Sequence, residues 1–340
     1  MPNNNKRMNF ARMSKRDEFY TDISDIESEM SRYAYSFRGK VVYCNCDDPY
    51  KSDFVKYFLI NFNRLGLKKL YATCYDGGYK QLDLFEDSDI ENQDALKLEV
   101  DSVPNIGYYE GQNLYGEELI ERYRCNVTKL EGNGDFMSDE CVDILSESDI
   151  IVTNPPFSKF SDFFKQLTAY QKKFIIIGNQ ISVIRDEVIE EIINGNVHID
   201  NTFKGSAGFF RSTYESLTEG HDKGLIRVPG VVWFSNVAST KCNEPIELTA
   251  KYDESIHKKY DDCEAIEVSK VNEIPCDYYG VMGVPITFIY KYCCCQFKII
   301  GYTTPTLNGQ KLYKRLLIRR DKDSGKRCFL YTNKIKKLKR

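Results

Sequence analysis

The sequence lacks the residue patterns that several common classes of protein require. Its three histidines are dispersed and its twelve cysteines include no CxxC pair, so a structural zinc site is not expected. Neither GxxxxGK[ST] nor GxGxxG occurs, which disfavours binding of ATP or NAD. No apolar run is long enough to cross a bilayer, and the amino terminus has no hydrophobic segment typical of a secretory signal. These absences favour a cytoplasmic globular protein with free thiols.

Charge is distributed unevenly along the chain. The formal net charge is −3, yet residues 311–340 hold thirteen Lys or Arg against two Asp, a net charge of +11, so the remainder carries −14. A basic end on an acidic body indicates that one face meets a polyanion, whereas a solvated tail is the alternative for residues 334–340. The candidates for phosphate contact are interleaved with apolar residues: Lys311, Lys314, Arg315, Arg319 and Arg320.

Strand-like and helix-like segments alternate through the first half of the chain. Buried-strand patterns occur at residues 41–44, 70–74, 125–130, 150–153 and 174–177. Ser52 is a candidate N-cap for the helix after the first strand, and Gly66 is its candidate stop. Strands alternating with helices predict an α/β fold with a mainly parallel sheet covered on both faces.

Two regions depart from this alternation. The acidic segment 76–124, which contains Gly and Tyr, is interpreted as an insertion. Beyond about residue 195 the pattern changes to short β-like segments such as 230–234 and 285–290. We also expect a disordered amino terminus over residues 1–14 and a surface loop at the cysteine run 293–295.

The segment Asn154-Pro155-Pro156-Phe157 is the most informative part of the sequence. It follows a β-branched run, and its two prolines cannot donate to a sheet ladder, so the strand must end there. Open α/β sheets bind ligands at the carboxyl ends of their strands. An amide oxygen, a proline carbonyl and an exposed Phe157 then form a receptor for a flat ring bearing an exocyclic amino group. A plain turn between strand and helix is the alternative.

Carboxylates follow other strands at what should be the same edge of the sheet. Asp47 and Asp48 come after the first strand, and Asp135 with Phe136 comes after a later one. Such a crevice suits a ligand with hydroxyl and amino groups and repels a triphosphate, so S-adenosylmethionine fits it. The alternative for each aspartate is a helix cap.

Methyl transfer to an aromatic amine is the chemistry that these groups could perform. The sulfonium of S-adenosylmethionine carries its own leaving group, so the enzyme must chiefly hold the nucleophile in line. Acceptors from Asn154 and Pro155 would bind the two amino protons and stabilise the positive charge that develops on the nitrogen. A base in a duplex reaches such a site only by flipping out of the stack, and Phe157 would offer it a stacking surface.

Taken together, these motifs make the chain similar to the EcoRI-type adenine-specific DNA methyltransferases. The resemblance covers most of residues 15–320. It is carried by the segments 17–21, 41–49, 67–70, 134–136, 151–158, 172–179 and 279–288. Asn-Pro-Pro-Phe alone is shared with some RNA methyltransferases, whereas segments 44–49 and 280–288 are far more specific to this family.

The resemblance implies roles for individual residues. Phe19, Tyr20 and Thr21 would surround the methionine end of the cofactor. The loop after the first strand would contribute Asn45, Asp47 and Asp48. Asp135 would accept a hydrogen bond from the amino group of the cofactor adenine, and Phe136 would support the adenine ring. Two features depart from the wider superfamily: the first loop lacks a glycine-rich turn, and only Asp76 is near the position that normally holds the ribose.

We therefore predict a Rossmann-like S-adenosylmethionine-dependent methyltransferase that modifies adenine N6 in duplex DNA, with a smaller carboxyl-terminal recognition region. The expected domains are a catalytic domain over residues 15–240, a target-recognition region over 241–332 and a basic tail over 333–340. We expect a monomer whose cognate restriction endonuclease, if any, is a genetic rather than a physical partner. An RNA base-amine methyltransferase and an inactive DNA-binding relative are the alternatives.

Overall fold

The structure is a computed structural model that describes residues 20–75, 94–200, 203, 207–211, 225–238, 245–293 and 295–320. Several features predicted above lie outside the described residues: the amino-terminal segment 1–14, Phe19, the side chain of Tyr20 and the basic tail 333–340. Asp76 lies outside them as well.

The described strands and helices are numbered here in chain order. The strands are β1 (Tyr20–Thr21), β2 (Val41–Asn45), β3 (Lys69–Thr73), β4 (Leu96–Val100), β5 (Asn126–Lys129), β6 (Ile150–Thr153), β7 (Lys173–Asn179), β8 (His198–Asp200), β9 (Ala207–Arg211), β10 (Leu225–Pro229), β11 (Val231–Ser235), β12 (Ile266–Glu267), β13 (Met282–Pro285), β14 (Phe297–Thr303), β15 (Thr306–Leu307), β16 (Gln310–Lys311) and β17 (Arg315–Arg320). The α-helices are α1 (Ile23–Met30), α2 (Asp53–Leu65), α3 (Tyr108–Gln112), α4 (Gly116–Arg122), α5 (Asp139–Glu147), α6 (Phe160–Ala169) and α7 (Asp186–Ile193).

The chain forms two compact units. The first comprises residues 1–178 and 202–238, and the second comprises residues 179–201 and 239–340. The end of the first unit lies close to the domain boundary expected at residue 240. Residues 179–201, which we expected in the catalytic domain, group with the second unit.

The first unit is built on a large sheet with strand order β5-β4-β3-β2-β6-β7-β11. Strand β2 is parallel to both β3 and β6, and β6 is parallel to β7. All residues of β2 and β6 are buried, as expected for strands covered on both faces. The predicted α/β class with a mainly parallel sheet is therefore confirmed.

The segment interpreted as an insertion contributes a strand to this sheet. Strand β4 lies between β3 and β5 and is antiparallel to both. Its apolar residues Leu96, Leu98 and Val100 alternate with Lys97 and Glu99, and Leu98 and Val100 are buried. This alternation is the period-2 pattern of a strand, and the interpretation of residues 76–124 as an insertion missed it.

Local sequence explains where helix α2 begins and ends. The Ser52 hydroxyl accepts a hydrogen bond from the backbone N–H of Phe54 at 3.0 Å, which caps the first turn. Gly66 ends the helix in the left-handed conformation, with φ of 64°. One face of α2 carries Phe54, Phe58 and Phe62 into the core beneath the sheet. Both predicted helix limits are confirmed.

The second unit contains a four-stranded sheet with order β12-β13-β17-β14. Its buried face includes Met282 and Val284 of β13 and Leu316 and Ile318 of β17, and burial alternates along β17. The prediction of a strand-like segment at residues 285–290 was wrong, because β13 ends at Pro285 and a 3₁₀ helix follows over Ile286–Lys291. A proline cannot donate to the ladder, so the apolar run that follows it packs as a turn instead.

The cysteine run of the second unit also differs from expectation. Cys293 and Cys295 are buried rather than placed in a surface loop, and their sulfur atoms lie 2.8 Å apart. The apolar character of a free thiol accounts for this burial.

Candidate active site

Three loops of the first unit meet at one edge of the large sheet. Strands β2, β3 and β6 are parallel, and β5 points the same way as β3 because each is antiparallel to β4. The loops that follow β2, β5 and β6 therefore open at the same edge. These loops contain Asp47 and Asp48, Asp135 and Phe136, and the Asn154–Phe157 turn, so the strand directions place the three loops at one edge; the roles of these residues stay predictions.

Asp47 connects the loop after β2 to two other elements. Its backbone N–H donates to the Thr73 carbonyl at 2.8 Å, at the end of β3. The Ser52 hydroxyl donates to its Oδ1 at 2.6 Å, and the Thr153 hydroxyl lies 2.6 Å from its Oδ2. Thr153 also contacts the Asn45 carbonyl. The buried Asp47 carboxylate thus links the α2 N-cap to the end of β6.

The same loop explains how the chain turns without the usual glycines. Cys46 has φ of 76°, the left-handed conformation that a glycine normally supplies. Asp48 is buried, its Oδ1 accepts from the Tyr50 N–H at 2.8 Å, and Lys51 lies 3.5 Å from its carboxylate. Hydrogen bonds from the chain itself therefore maintain this turn.

Two of the predicted cofactor residues have a buried polar atom without a hydrogen-bond partner among the described residues: Oγ1 of Thr21 and Nδ2 of Asn45. The other end of the Asn45 amide, Oδ1, accepts from Thr73 at 3.3 Å, which fixes the orientation of the side chain. A buried polar group without a partner costs about 1–3 kcal/mol, so a ligand that satisfies it is favoured. Both residues belong to the predicted cofactor set, and a cofactor rich in polar groups fits them.

The loop after β5 makes a tight approach to the end of β3. Gly134 has φ of 72°, and a Cβ atom at this position would lie 2.1 Å from the Cys74 carbonyl oxygen. Only glycine fits there without moving the backbone. The half-buried Asp135 then accepts from the Met137 N–H at 2.9 Å, which shapes the turn into α5.

Phe136 is held from two sides. Its ring packs edge-to-face on Phe163, with centroids 5.1 Å apart and planes at 88°. Its carbonyl accepts a hydrogen bond of 2.9 Å from Nε2 of Gln166, a buried residue on α6. Oε1 of Gln166 has no hydrogen-bond partner among the residues that the structure describes. The helix after the Asn-Pro-Pro-Phe turn therefore also supports the predicted cofactor-ring residue.

The Asn-Pro-Pro-Phe turn follows β6 directly. Asn154 and Pro156 are half-buried, whereas Pro155 is buried. Phe157 is only 9% exposed and belongs to the hydrophobic core, so the prediction that it is exposed was wrong. It begins a 3₁₀ turn over Phe157–Lys159 that leads straight into α6, and this reversal directs the ring inward. Its role as a stacking surface stays a prediction.

Burial determines the protonation of the groups beneath this edge. Burial, together with the negative charge of Asp47, raises the pKa of the Cys44 thiol well above its usual value. Burial likewise raises the pKa of Tyr43, whose hydroxyl lies 2.7 Å from Oγ1 of Thr73. Both side chains are neutral near pH 7, so Cys44 does not supply a thiolate nucleophile.

The five basic residues predicted to contact phosphate have different surroundings in the second unit. Arg315 is largely buried and pairs with Glu267, with Nη2 2.8 Å from Oε1. Arg320 donates to the Cys276 carbonyl and lies over the Tyr279 ring. Exposed side chains are found at the other three positions: Lys311, Lys314 and Arg319. These three side chains are accessible to a binding partner, whereas the guanidinium of Arg315 is already paired with the carboxylate of Glu267.

Thr153 and Gln166 are the residues that reasoning from sequence missed. Both act through hydrogen bonds between elements that are distant in sequence, as in the 106-residue separation of Thr153 and Asp47. A threonine at the end of a β-branched run looks like an ordinary strand residue. The only signal was its position next to Asn154.

Comparison with known proteins agrees with this geometry. The family model described as adenine-specific methyltransferase EcoRI matches residues 7–339. The chain belongs to this family. The type II methyltransferase M.EcoRI of Escherichia coli is 38% identical to the chain, over 93% of the chain and 96% of the relative. The type II methyltransferase M.MpnI of Mycoplasma pneumoniae is 33% identical, over 86% of the chain and 84% of the relative.

Three further searches of this member of the EcoRI methyltransferase family found no match. No solved structure matches the chain. Within the described part of the chain, no group of three His, Cys, Asp or Glu side chains is arranged to hold a metal ion. No described helix has the length and apolar character needed to span a membrane.

Proposed function

We propose that the protein transfers a methyl group from S-adenosylmethionine to N6 of an adenine that is flipped out of duplex DNA. The observation that carries this proposal is the connection between the loop after β2, which we assign to the cofactor, and the Asn-Pro-Pro-Phe turn, which we assign to the target base. Thr153, the residue before the Asn-Pro-Pro-Phe turn, contacts both Asp47 and the Asn45 carbonyl of the loop after β2. Cofactor loop and target-base turn therefore share one hydrogen-bond network.

Four described residues would hold the cofactor. Thr21 and Asn45 offer buried polar atoms that have no partner among the described residues. Asp135 offers its carboxylate to an amino group, and Phe136 offers a ring fixed by its neighbours. When bound, S-adenosylmethionine supplies an electrophilic methyl group. By the family resemblance, Phe19 and Tyr20 would complete the methionine end.

Asp47 and Asp48 are proposed to act mainly through the shape of their loop. Their carboxylates accept hydrogen bonds from Ser52 and from the Tyr50 N–H, respectively. An aspartate saturated in this way has less capacity to bind a ligand directly than Asn45 does. We therefore assign Asp47 and Asp48 to positioning of the cofactor loop.

The target amine would be activated by the Asn-Pro-Pro-Phe turn. Oδ1 of Asn154 and the carbonyl of Pro155 are acceptors for the two amino protons of adenine. Accepting these protons favours a pyramidal nitrogen and stabilises the positive charge that develops as the bond to carbon forms. The rigid prolines fix the direction of the acceptors, so little reorganisation is needed in the transition state.

Duplex DNA is the proposed substrate, and exposed cations of the second unit would contact its phosphates. Lys311, Lys314 and Arg319 remain in this set because their side chains are exposed. We drop Arg315, since its guanidinium is bound to Glu267, and assign Arg320 to packing against Tyr279. The proposal further includes a cytoplasmic monomer whose cognate restriction endonuclease is a genetic, not a physical, partner.

Transfer of labelled methyl groups tests the proposal directly. Purified protein would be incubated with S-adenosyl[methyl-³H]methionine and either duplex DNA or structured RNA, and the labelled nucleoside identified by chromatography. We expect N6-methyladenine in DNA. Asn154→Ala should reduce kcat by at least about 100-fold while leaving cofactor affinity nearly unchanged. Asn113→Ala is the control and should retain full activity, because Asn113 is exposed and its side chain donates to the Tyr109 carbonyl of its own helix.

Other outcomes would select the alternatives. Label found only in RNA would favour an RNA base-amine methyltransferase. Calorimetry showing no binding of S-adenosylmethionine, with or without DNA, would favour a DNA-binding relative without catalysis. Equal loss of turnover and cofactor affinity in Asn154→Ala would contradict the role assigned to the asparagine.

A further inference from the structure

Two positive charges face each other across adjacent strands of the second unit. Strands β14 and β17 are antiparallel, and their register places Lys298 directly opposite Arg319. Both side chains are exposed, whereas the neighbouring pair Ile299 and Ile318 is buried in the core of the unit. Lys298 was not among the basic residues singled out in the sequence.

This arrangement is unfavourable for the isolated protein. Opposed residues of an antiparallel pair have Cβ atoms about 5 Å apart, and like charges at this spacing destabilise the sheet. Neither Lys298 nor Arg319 forms an ion pair with a carboxylate among the described residues. Arg315, by contrast, lies on the same strand as Arg319 and has Glu267 as its partner. The sheet thus neutralises one arginine and leaves the opposed pair without a described counter-charge.

The pair is held on regular strands rather than on loops. Ile299 and Ile318, adjacent to the two cations along β14 and β17, anchor both strands in the core. The two cationic groups therefore stay near one another, and their donors can converge on one or two anionic oxygens. An arginine fork beside a lysine ammonium is well suited to a phosphate.

The charge of the following sequence indicates a polymer rather than a single anion. Residues 321–340 follow Arg320 directly and contain eight Lys or Arg against two Asp. A concentration of positive charge that continues along the chain matches a ligand with repeated negative charges. A nucleic acid backbone has this chemistry.

We propose that Lys298 and Arg319 form a phosphate clamp that binds the backbone of the DNA substrate. This inference rests on the proposed function. The clamp contacts phosphate and not base edges, so it contributes affinity and positioning rather than sequence recognition. Relief of the repulsion between the two cations adds to the favourable free energy of binding.

The salt dependence of DNA binding tests the clamp. The double variant Lys298→Gln/Arg319→Gln would be compared with Lys259→Gln/Lys270→Gln, which removes the same charge from exposed residues that pair with Glu264 and Glu273. The slope of log K against log salt concentration should fall by about 1 to 2 in the clamp variant, since each phosphate contact contributes about 0.9. The control should keep the wild-type slope, and both should keep the wild-type affinity for S-adenosylmethionine.

Charge reversal provides a second test that is independent of folding defects. Lys298→Glu places a carboxylate opposite Arg319, so the melting temperature should hold or rise while DNA affinity falls by about tenfold or more at low salt. An unchanged salt slope in the double variant, or unchanged DNA affinity in Lys298→Glu, would overturn the clamp. Failure of the wild-type protein to bind or methylate DNA would instead overturn the proposed function.

Discussion

The hydroxyl of Thr153 lies 2.6 Å from Oδ2 of Asp47, which joins the residue before the Asn-Pro-Pro-Phe turn to the loop after β2. The Ser52 hydroxyl occupies the other oxygen of the same carboxylate at 2.6 Å. A change at Thr153 therefore affects a buried carboxylate, a helix cap and the orientation of Asn154 together. This network makes Thr153 a positioning residue for the proposed reaction.

Thr153→Val should separate positioning from folding. Loss of the hydroxyl leaves one oxygen of the buried Asp47 carboxylate without its donor, which should lower the free energy of unfolding by about 1–3 kcal/mol. A small shift of Asn154 should lower kcat by about 10- to 100-fold, with a smaller change in KM for DNA. Thr153→Ser keeps the hydroxyl and should restore most of the turnover. Equal turnover in the valine and serine variants would contradict this role.

Thr21→Val should move stability and cofactor affinity in opposite directions. The Thr21 hydroxyl is buried without a partner among the described residues, so its removal should leave the melting temperature of the free protein unchanged or higher. If the hydroxyl binds S-adenosylmethionine, the dissociation constant should rise about 2- to 10-fold, measured by calorimetry. Thr168→Val is the control, because that hydroxyl bonds carbonyls within its own helix. Unchanged cofactor affinity in Thr21→Val would remove this residue from the site.

Gly134→Ala should disrupt the loop that carries Asp135 and Phe136. The added Cβ would lie 2.1 Å from the Cys74 carbonyl oxygen, and the positive φ adds about 1 kcal/mol of strain. We expect a lower melting temperature and a loss of cofactor affinity of at least tenfold, since the backbone must shift. Gly132→Ala is the matched control in the same loop, where a Cβ meets nothing within 4 Å. Similar behaviour of the two variants would show that the close approach is unimportant.

The ion pair between Glu267 and Arg315 predicts a pH dependence of stability. Burial alone would raise the pKa of Glu267, but hydrogen bonds from Arg315 and Tyr260 hold the pKa below its usual value. Because the folded pKa is the lower one, the stabilisation is complete above the unfolded value of about 4.3 and is lost as pH falls through the folded value.

Glu267→Gln should therefore differ most from the wild type near neutral pH. There it leaves Arg315 without a charged partner, at a cost on the order of 3 kcal/mol, and the difference in melting temperature should narrow below about pH 4. Glu264→Gln is the control, since Glu264 is 96% exposed and its contact with Lys259 is 3.9 Å long. A difference between Glu267→Gln and the wild type that is independent of pH would contradict the assigned ionisation.

The parts of the fold that local chemistry determines were predictable. The prolines after Thr153 end strand β6 where the sequence placed its end, and Ser52 and Gly66 delimit helix α2 as predicted. Strand β4 and the 3₁₀ helix Ile286–Lys291 were not predicted. Strand β4 has the alternating pattern of a strand but lies in an acidic segment that was interpreted as an insertion, and the apolar run after Pro285 fits either a strand or a turn.

The sequence by itself determined the family, the order of the motifs and the end of strand β6, because two prolines after a β-branched run allow few backbone conformations. Only the tertiary structure decided which polar groups are already satisfied. In the folded chain, the Asp47 carboxylate accepts hydrogen bonds from Ser52 and Thr153, and Arg315 forms an ion pair with Glu267. The Phe157 side chain is buried in the core. Such pairings depend on contacts between residues far apart in the chain, and side-chain type alone does not specify them.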